Sequence, residues 1–233
     1  MASVLGIDTA TADTAVAVTR DGDLVEERLS GPGPDGRPRH SQTVLADAEA
    51  AVAEAGGWKE VELVAVGTGP GSYTGLRIGI ATARALAQSL GVGLAGVSTL
   101  AVLARAIGEH PQAEGRPRLA AIDARRGQLF ASLYDEAGEL TWGPVVAAPA
   151  DVAQRLTATG AAPLAAGDGA LRFLQDLETA NATVPPEDDP VHRIAARHLC
   201  LLAEAVAPQP PEEIEPQYLR APDAEVWLER DRR

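Results

Sequence analysis

Apolar positions come in short bursts along the first third of the chain. Val4 to Asp8 is an apolar run ending in an acid, and Thr14 to Thr19 alternates. Leu24 to Leu29 follows the tight turn Asp21-Gly22-Asp23. Three such runs on short connections predict an antiparallel meander. Gly31 to Arg39 is rich in Gly and Pro and predicts an exposed loop. The period then changes. Val44, Leu45, Ala48, Val52 and Ala55 recur at helical spacing, with Ser41 as the expected N-cap and Gly56 as the stop. Leu63 to Gly67 reads as a buried strand, Gly69 to Gly75 as a glycine-rich loop, and Leu76 to Leu90 as a helix ended by Gly91. Gly93 to Val97 is a further strand, after which Ser98 caps a helix to about Gly108. Three strands, helix, strand, helix, strand, helix is the order of an α/β, ribonuclease-H-like unit: a meander extended by strands that need helical crossovers.

His110 to Pro117 is polar and broken by prolines, and the pattern restarts beyond it. "LGIDTATADTAVAV" and "LAAIDARRGQLFASL" each hold an apolar strand ending in Ile-Asp (Ile7-Asp8, Ile122-Asp123), a polar turn and a second alternating strand. This weak internal repeat predicts two related lobes, residues 1–109 and 118–207, the second degenerate. That second half offers a turn at Arg125 to Gly127 and a strand at Leu129 to Tyr134. Helices are expected near Asp151 to Thr157 and Ala170 to Leu177, with a strand at Leu164 to Ala166 and a loop from Asn181 to Pro190. A last helix is expected at about Val191 to Val206. Residues 208–233, rich in Pro and charge, read as an extended tail.

Composition narrows the picture. Apolar residues make up 45 % but aromatic residues only 3 %, so Ala, Val and Leu fill the interior. The net charge of −13, from 33 acidic and 20 basic side chains, argues against a nucleic-acid surface. Basic residues gather only in short runs such as Arg116, Arg118, Arg125 and Arg126. Contact with RNA is expected through a more basic partner. The single cysteine, Cys200, excludes an intrachain disulfide and reads as a buried inert thiol. No signal peptide is read at the start and no stretch is apolar enough to span a membrane, so a cytoplasmic location is expected.

The sharpest local feature is "GTGPGSYTGLRIG", Gly67 to Gly79. Gly69, Gly71 and Gly75 permit unusual backbone angles, Ser72 and Thr74 offer hydroxyls, and the loop feeds a helix whose N-terminus could hold an anion. No Gly-Lys-Ser/Thr closes it, so it is no Walker A loop. Composition favours a tight strand-to-helix joint over a phosphate site. Asp8, Asp123 and Asp168 end or follow strands, where carboxylates hold Mg²⁺ through water or cap turns. Without a partner base or lysine at fixed spacing, capping is the better reading. His40, His110, His192 and His198 include no pair four apart, which argues against a zinc site. Gly71-Ser72-Tyr73 is not a nucleophile elbow.

Several blocks, in order, resemble the TsaB (YeaZ) family: "LGIDTATADTAVAV", "RHSQTVL", "VAVGTGPGSYTGLRIGIATARALA", "GVSTLAVLA", "AAIDARRGQLFASLY", "GDGA" and "PQYLRAPDAE". The resemblance implies two ribonuclease-H-like lobes of the actin-like ATPase (ASKHA) superfamily. It implies a non-catalytic subunit, acting with a catalytic TsaD-type homologue and a TsaE-type ATPase. Together they place threonylcarbamoyl on N6 of adenosine in tRNA. No cofactor is then expected to bind tightly, ATP being used by the partner, and tRNA is met only through the complex. Asp8, Gly69, Gly71, Ser72, Thr74, Gly75 and Asp123 are the candidate anion or nucleotide loop. Val44, Ala48, Ala51 and Val52, with Ile80, Ala83 and Ala87, are the candidate partner interface, shared with a homodimer of the free chain. The alternative is an enzyme acting alone, a nucleotide-dependent transferase or a glycopeptidase-type hydrolase.

Overall fold

The computed structural model describes residues 3–220. Strands β1 (Ser3–Asp8), β2 (Thr14–Arg20) and β3 (Asp23–Ser30) form the expected meander. Helix α1 (His40–Glu54) leads to β4 (Leu63–Gly69), α2 (Tyr73–Leu90) to β5 (Gly93–Ser98), and α3 (Thr99–Glu109) closes this half. The sheet order is β3-β2-β1-β4-β5, with β1, β4 and β5 parallel. Parallel neighbours cannot be joined by hairpins, so α1 and α2 are the crossovers the order demanded. Gly91 ends α2 in the left-handed conformation at φ 69°.

The second sheet repeats the plan with fewer parts. Its strands β6 (Arg118–Arg125), β7 (Gln128–Tyr134), β8 (Leu140–Ala147) and β9 (Leu164–Ala166) run in the order β8-β7-β6-β9, with β6 and β9 parallel. Between them lies α4 (Pro149–Thr159), and after β9 come α5 (Asp168–Arg172) and α6 (Leu174–Thr179). Each sheet is a meander followed by a parallel strand, which is the arrangement of two ribonuclease-H-like lobes in an actin-like ATPase-type fold.

Differences from the sequence expectation are local. His40, not Ser41, starts α1, and Arg39 stands at the N-cap without a side-chain bond. The helix expected over 170–177 is two short helices broken at Phe173. The helix expected over 191–206 is a 3-10 turn, Pro190–His192, followed by α7 (Ala196–Ala203). Strand β8 was not anticipated.

Three apolar clusters organise the interior. One packs α1 and α2 on the first sheet: Val44, Ala48, Ala51, Val52, Ile80, Ala83 and Ala87 against Leu5, Ile7, Val16, Val18, Val64 and Val66. A second packs α4 and α6 on the second sheet. The third holds the halves together, since α3 and α7 join residues of the first sheet (Val4, Ala17, Ala65) to residues of the second (Ala120, Ile122, Phe130). Helix α7 thus packs on β1 and β2, although its residues follow the second sheet in sequence. Gly6 permits this, because a β-carbon there would stand 2.7 Å from the Cys200 sulfur. Cys200 is fully buried, and burial pushes its thiol up to about 12, leaving it inert as expected. Among the described residues no helix is long and apolar enough to cross a membrane. The "APDAE" part of the family-like block, and the expected tail from residue 221 to 233, lie outside the described residues.

Candidate functional site

The glycine-rich loop joins β4 to α2, and its shape is set by the loop after β1. A β-carbon at Gly71 would lie 2.4 Å from the Ala10 carbonyl oxygen, at Gly75 2.0 Å from that of Thr9, and at Gly79 2.3 Å from the Thr9 hydroxyl. These glycines are required by the close approach of another backbone. Only Gly69, at φ 99°, occupies the left-handed region. The expectation that Gly71 and Gly75 take angles closed to other residues is therefore corrected: their constraint is contact, not torsion.

Two amides at the start of α2 already have partners. Ser72 N–H donates to Ala10 O at 2.7 Å, and Gly75 N–H donates to Ser72 Oγ at 3.3 Å. The Thr9 hydroxyl donates to Gly75 O at 2.8 Å. Ser72 is the N-cap of α2. The strand-to-helix joint is tight, with Thr9 and Ala10 against its glycines.

Asp8 ends β1 but does not reach the cleft between the sheets. It is 1 % exposed, and its carboxylate accepts from Ala10 N–H and from the Thr99 hydroxyl, each at 2.8 Å. A β-carbon at Gly67 would stand 1.9 Å from its Oδ2. Burial pushes the carboxyl up to about 6, more than those two hydrogen bonds lower it. Asp8 therefore ties β1 to the start of α3, and its place in the candidate nucleotide loop is corrected.

Asp123 and Asp168 do meet. Asp123 N–H donates to Asp168 Oδ1 at 2.9 Å. The Asp123 carboxylate accepts from Arg125 N–H at 2.9 Å and pairs with the Arg172 guanidinium at 2.8 Å and that of Arg125 at 3.2 Å. Burial raises the Asp168 carboxyl above its ordinary range; the bond from Asp123 N–H lowers it, and the Asp123 charge raises it again by less. Both line a cleft of about 520 Å³ whose other wall carries Ala10, Gly71, Ser72, Tyr73 and Thr74. The turn beside it holds Arg125 and Arg126 at φ 63° and 54°, angles that cost a non-glycine residue about 1 kcal/mol each.

The cleft rim contains groups that sequence reasoning passed over. Tyr73 and Tyr218 stack with ring centroids 4.9 Å apart, the Arg77 guanidinium lies 4.0 Å from the Tyr73 centroid, and Arg77 Nε donates to Tyr218 Oη at 3.0 Å. The only signal was the Tyr-Leu-Arg block at 218–220, which carried no assigned role.

The histidines are structural. His40 is buried with Nδ1 2.9 Å from the Thr14 hydroxyl. His192 accepts from Gly167 N–H and faces Pro185 O. His110 faces Asp189 at 3.2 Å. His198 is buried, and desolvation lowers it to about 4. Among the described residues no three His, Cys, Asp or Glu side chains come together as a metal site.

The candidate interface residues are all buried against their own sheet: Ala48, Ala51, Val52, Ala83 and Ala87 at 0 %, Val44 and Ile80 at 3 %. None can meet a partner. The small apolar stripe of each helix is its inner face, because a helix on a sheet buries its most apolar side first. The outward faces carry Leu45 (55 % exposed), Ala46, Glu49, Ala81, Ala85 and the half-buried Ile78.

The paired lobes, the strand-end acids and the helix-start loop define an actin-like ATPase-type fold. A family model described as "TsaD: tRNA N6-adenosine threonylcarbamoyltransferase" matches residues 35–178, more than half of the chain. An uncharacterized Mycobacterium tuberculosis protein is 34 % identical over 96 % of this chain and 94 % of its own. The Escherichia coli tRNA threonylcarbamoyladenosine biosynthesis protein TsaB is 36 % identical over 58 % of this chain and 57 % of its own. The solved structure of YeaZ from Pseudomonas aeruginosa superposes with a TM-score of 0.78 at 27 % identity, covering 94 % of this chain and all of that one. The chain belongs to the TsaB (YeaZ) family.

Proposed function

We propose that this protein serves tRNA threonylcarbamoyladenosine biosynthesis as a non-catalytic subunit. It binds and orients a TsaD-type catalytic homologue, works with a TsaE-type ATPase in the cytoplasm, and meets tRNA through that complex. One observation carries the reading. The Asp8 carboxylate and the Ser72 and Gly75 amides, which a metal or phosphate site at this loop would need, are spent on internal bonds. The outward faces of α1 and α2, with Leu45, Ala46, Ile78, Ala81 and Ala85, are the surface for the partner. Small residues let helices from two subunits approach closely. The free chain would use the same patch on a second copy as a two-fold dimer. The net charge of −13 suits a more basic partner.

The second reading, an enzyme acting alone, rests on Asp123 and Asp168 in the cleft. Asp123 is already neutralised by Arg172 and Arg125, which leaves little charge for a cation. The test is a reconstitution with tRNA, ATP, Mg²⁺ and the threonylcarbamoyl donor. The chain alone is expected to give no modified adenosine and no phosphate release above blank. Adding it to the catalytic homologue and the ATPase is expected to restore modification. Turnover by the single chain, lost on Asp123→Asn, would establish the second reading instead.

A further inference from the structure

The segment after α7 was expected to be an extended tail. From Pro208 to Arg220 it makes a 3-10 turn at Pro211–Glu213 and is fastened at every few residues. Gln209 N–H donates to Leu94 O at 2.9 Å, adding a bridge to the edge of β5. Gly93 leaves room for Pro208, since a β-carbon there would stand 2.6 Å from the proline ring. The Arg84 guanidinium of α2 holds the carbonyls of Glu212 and Ile214, and the Ile214 side chain is 2 % exposed in the core under α2. Gln217 N–H donates to Thr68 O at 2.8 Å. To this point every contact is with the first lobe.

Tyr218 still holds the first lobe, and only the last two described residues reach beyond it. Tyr218 stacks on Tyr73 and accepts from Arg77 at the start of α2. Leu219 packs on the core that α3 and α7 share between the sheets. Arg220 reaches the Gln128 side-chain oxygen on β7, in the second sheet, at 3.5 Å. All three line the cleft opposite Asp123, Asp168 and Phe130. The halves are thus joined twice, through the α3–α7 core and through this segment at the cleft rim.

We propose that Pro208–Arg220 is an inter-lobe strap whose Tyr218-Leu219-Arg220 end fixes how far the cleft opens. The anchors up to Tyr218 hold the strap to the first lobe, and Leu219 and Arg220 hold the second lobe to it. Tyr218 is 40 % exposed and Arg220 half-buried, so their side chains can be removed while Leu219 keeps its place on the core. The strap also forms one side of the groove beside Ala81 on α2, so its position and the shape of the outward α2 surface change together.

The test measures the distance between lobes in the full chain. Spin labels are placed at Glu49→Cys on α1 and Gln154→Cys on α4, both exposed, while buried Cys200 takes no label. Double electron–electron resonance is expected to give one narrow distance distribution for the otherwise unchanged protein. The pair Tyr218→Ala and Arg220→Ala is expected to shift it to longer distance and widen it. Should the double variant not fold, Arg220→Ala is read in its place, since it loses only the Gln128 bond to the second sheet; a smaller shift in the same direction is expected. An unchanged distribution in the folded variant overturns the proposal.

Discussion

The Thr99 hydroxyl donates to the Asp8 carboxylate at 2.8 Å, at the point where the end of β1 meets the start of α3. That bond, with the Ala10 amide on the other oxygen, holds the strand-end acid inside the protein, where its charge is costly. Its carboxyl stands near 6 in the fold against 3.8 for the free group. The folded state therefore binds the proton more tightly than the unfolded chain. The sign follows: Asp8 contributes stability fully below pH 3.8 and loses it as pH rises through about 6, a change of about 3 kcal/mol. Asp8→Asn is expected to remove this dependence and to gain on wild type between pH 4 and 7. Urea unfolding at pH 4.5, 5.5 and 7 measures it; parallel curves for the two proteins would refute it.

His198 works in the opposite direction. Desolvation, with Arg197 and Arg105 nearby, holds the folded imidazole near 4, below its free value of 6.5. The unfolded chain binds the proton first, so this contribution is present above pH 6.5 and is lost as pH falls toward 4. His198→Leu is expected to be the more acid-resistant protein by about 2–3 kcal/mol across that window. Melting temperatures of both proteins from pH 7 to 4 check it, and a constant difference would count against it.

Two glycine substitutions separate contact from torsion. Gly75→Ala drives a β-carbon to within 2.0 Å of the Thr9 carbonyl, and backbone on both sides must move; a loss of about 3 kcal/mol or more is expected. Gly115 has a left-handed φ of 64° and nothing within 4 Å, so Gly115→Ala is expected to cost about 1 kcal/mol. Equal losses would show that the helix joint is looser than described.

Much of the fold was legible because local chemistry and global plan agree. The meander, the crossovers and Gly91 as the stop of α2 all followed from period and punctuation. Strand β8 did not, because Gly143-Pro144 interrupts Leu140–Ala147 and reads as a turn. Proline is tolerated there because β8 is the edge of its sheet. The docking of α7 on β1 and β2 had no local signal, since it depends on Gly6 meeting Cys200 across most of the chain. The site was less legible. Composition marked the glycine loop correctly but could not show that Thr9 and Ala10 fill it. Helical periodicity marked the apolar stripes of α1 and α2, but periodicity reports that a face is covered, not by what. Here the chain's own sheet covers it. The Tyr73, Arg77 and Tyr218 cluster joins residues far apart in sequence and was invisible for that reason.

The same distinction predicts two kinds of variant on one helix. Ala48→Glu puts a carboxylate into the core of the first lobe, where Ala48 is 0 % exposed, and is expected to destabilise the monomer by about 3 kcal/mol or more. Leu45→Glu, on the outward side, is expected to leave melting within about 0.5 kcal/mol of wild type. Denaturation of each variant in dilute solution decides it; an unfolded Leu45→Glu or an undisturbed Ala48→Glu would reverse the assignment of faces.

The outward faces of α1 and α2 are the proposed surface for the catalytic homologue. Isothermal titration of the purified TsaD-type protein into this chain tests it most directly, using wild type, Leu45→Glu with Ala81→Glu, and a control charge at exposed Gln154 on α4. Wild type and Gln154→Glu are expected to bind alike. The folded double variant is expected to lose affinity by at least about a hundredfold, since a carboxylate buried unpaired at a contact costs several kcal/mol. Undiminished binding by the folded double variant would contradict the claim and place the partner elsewhere on the molecule.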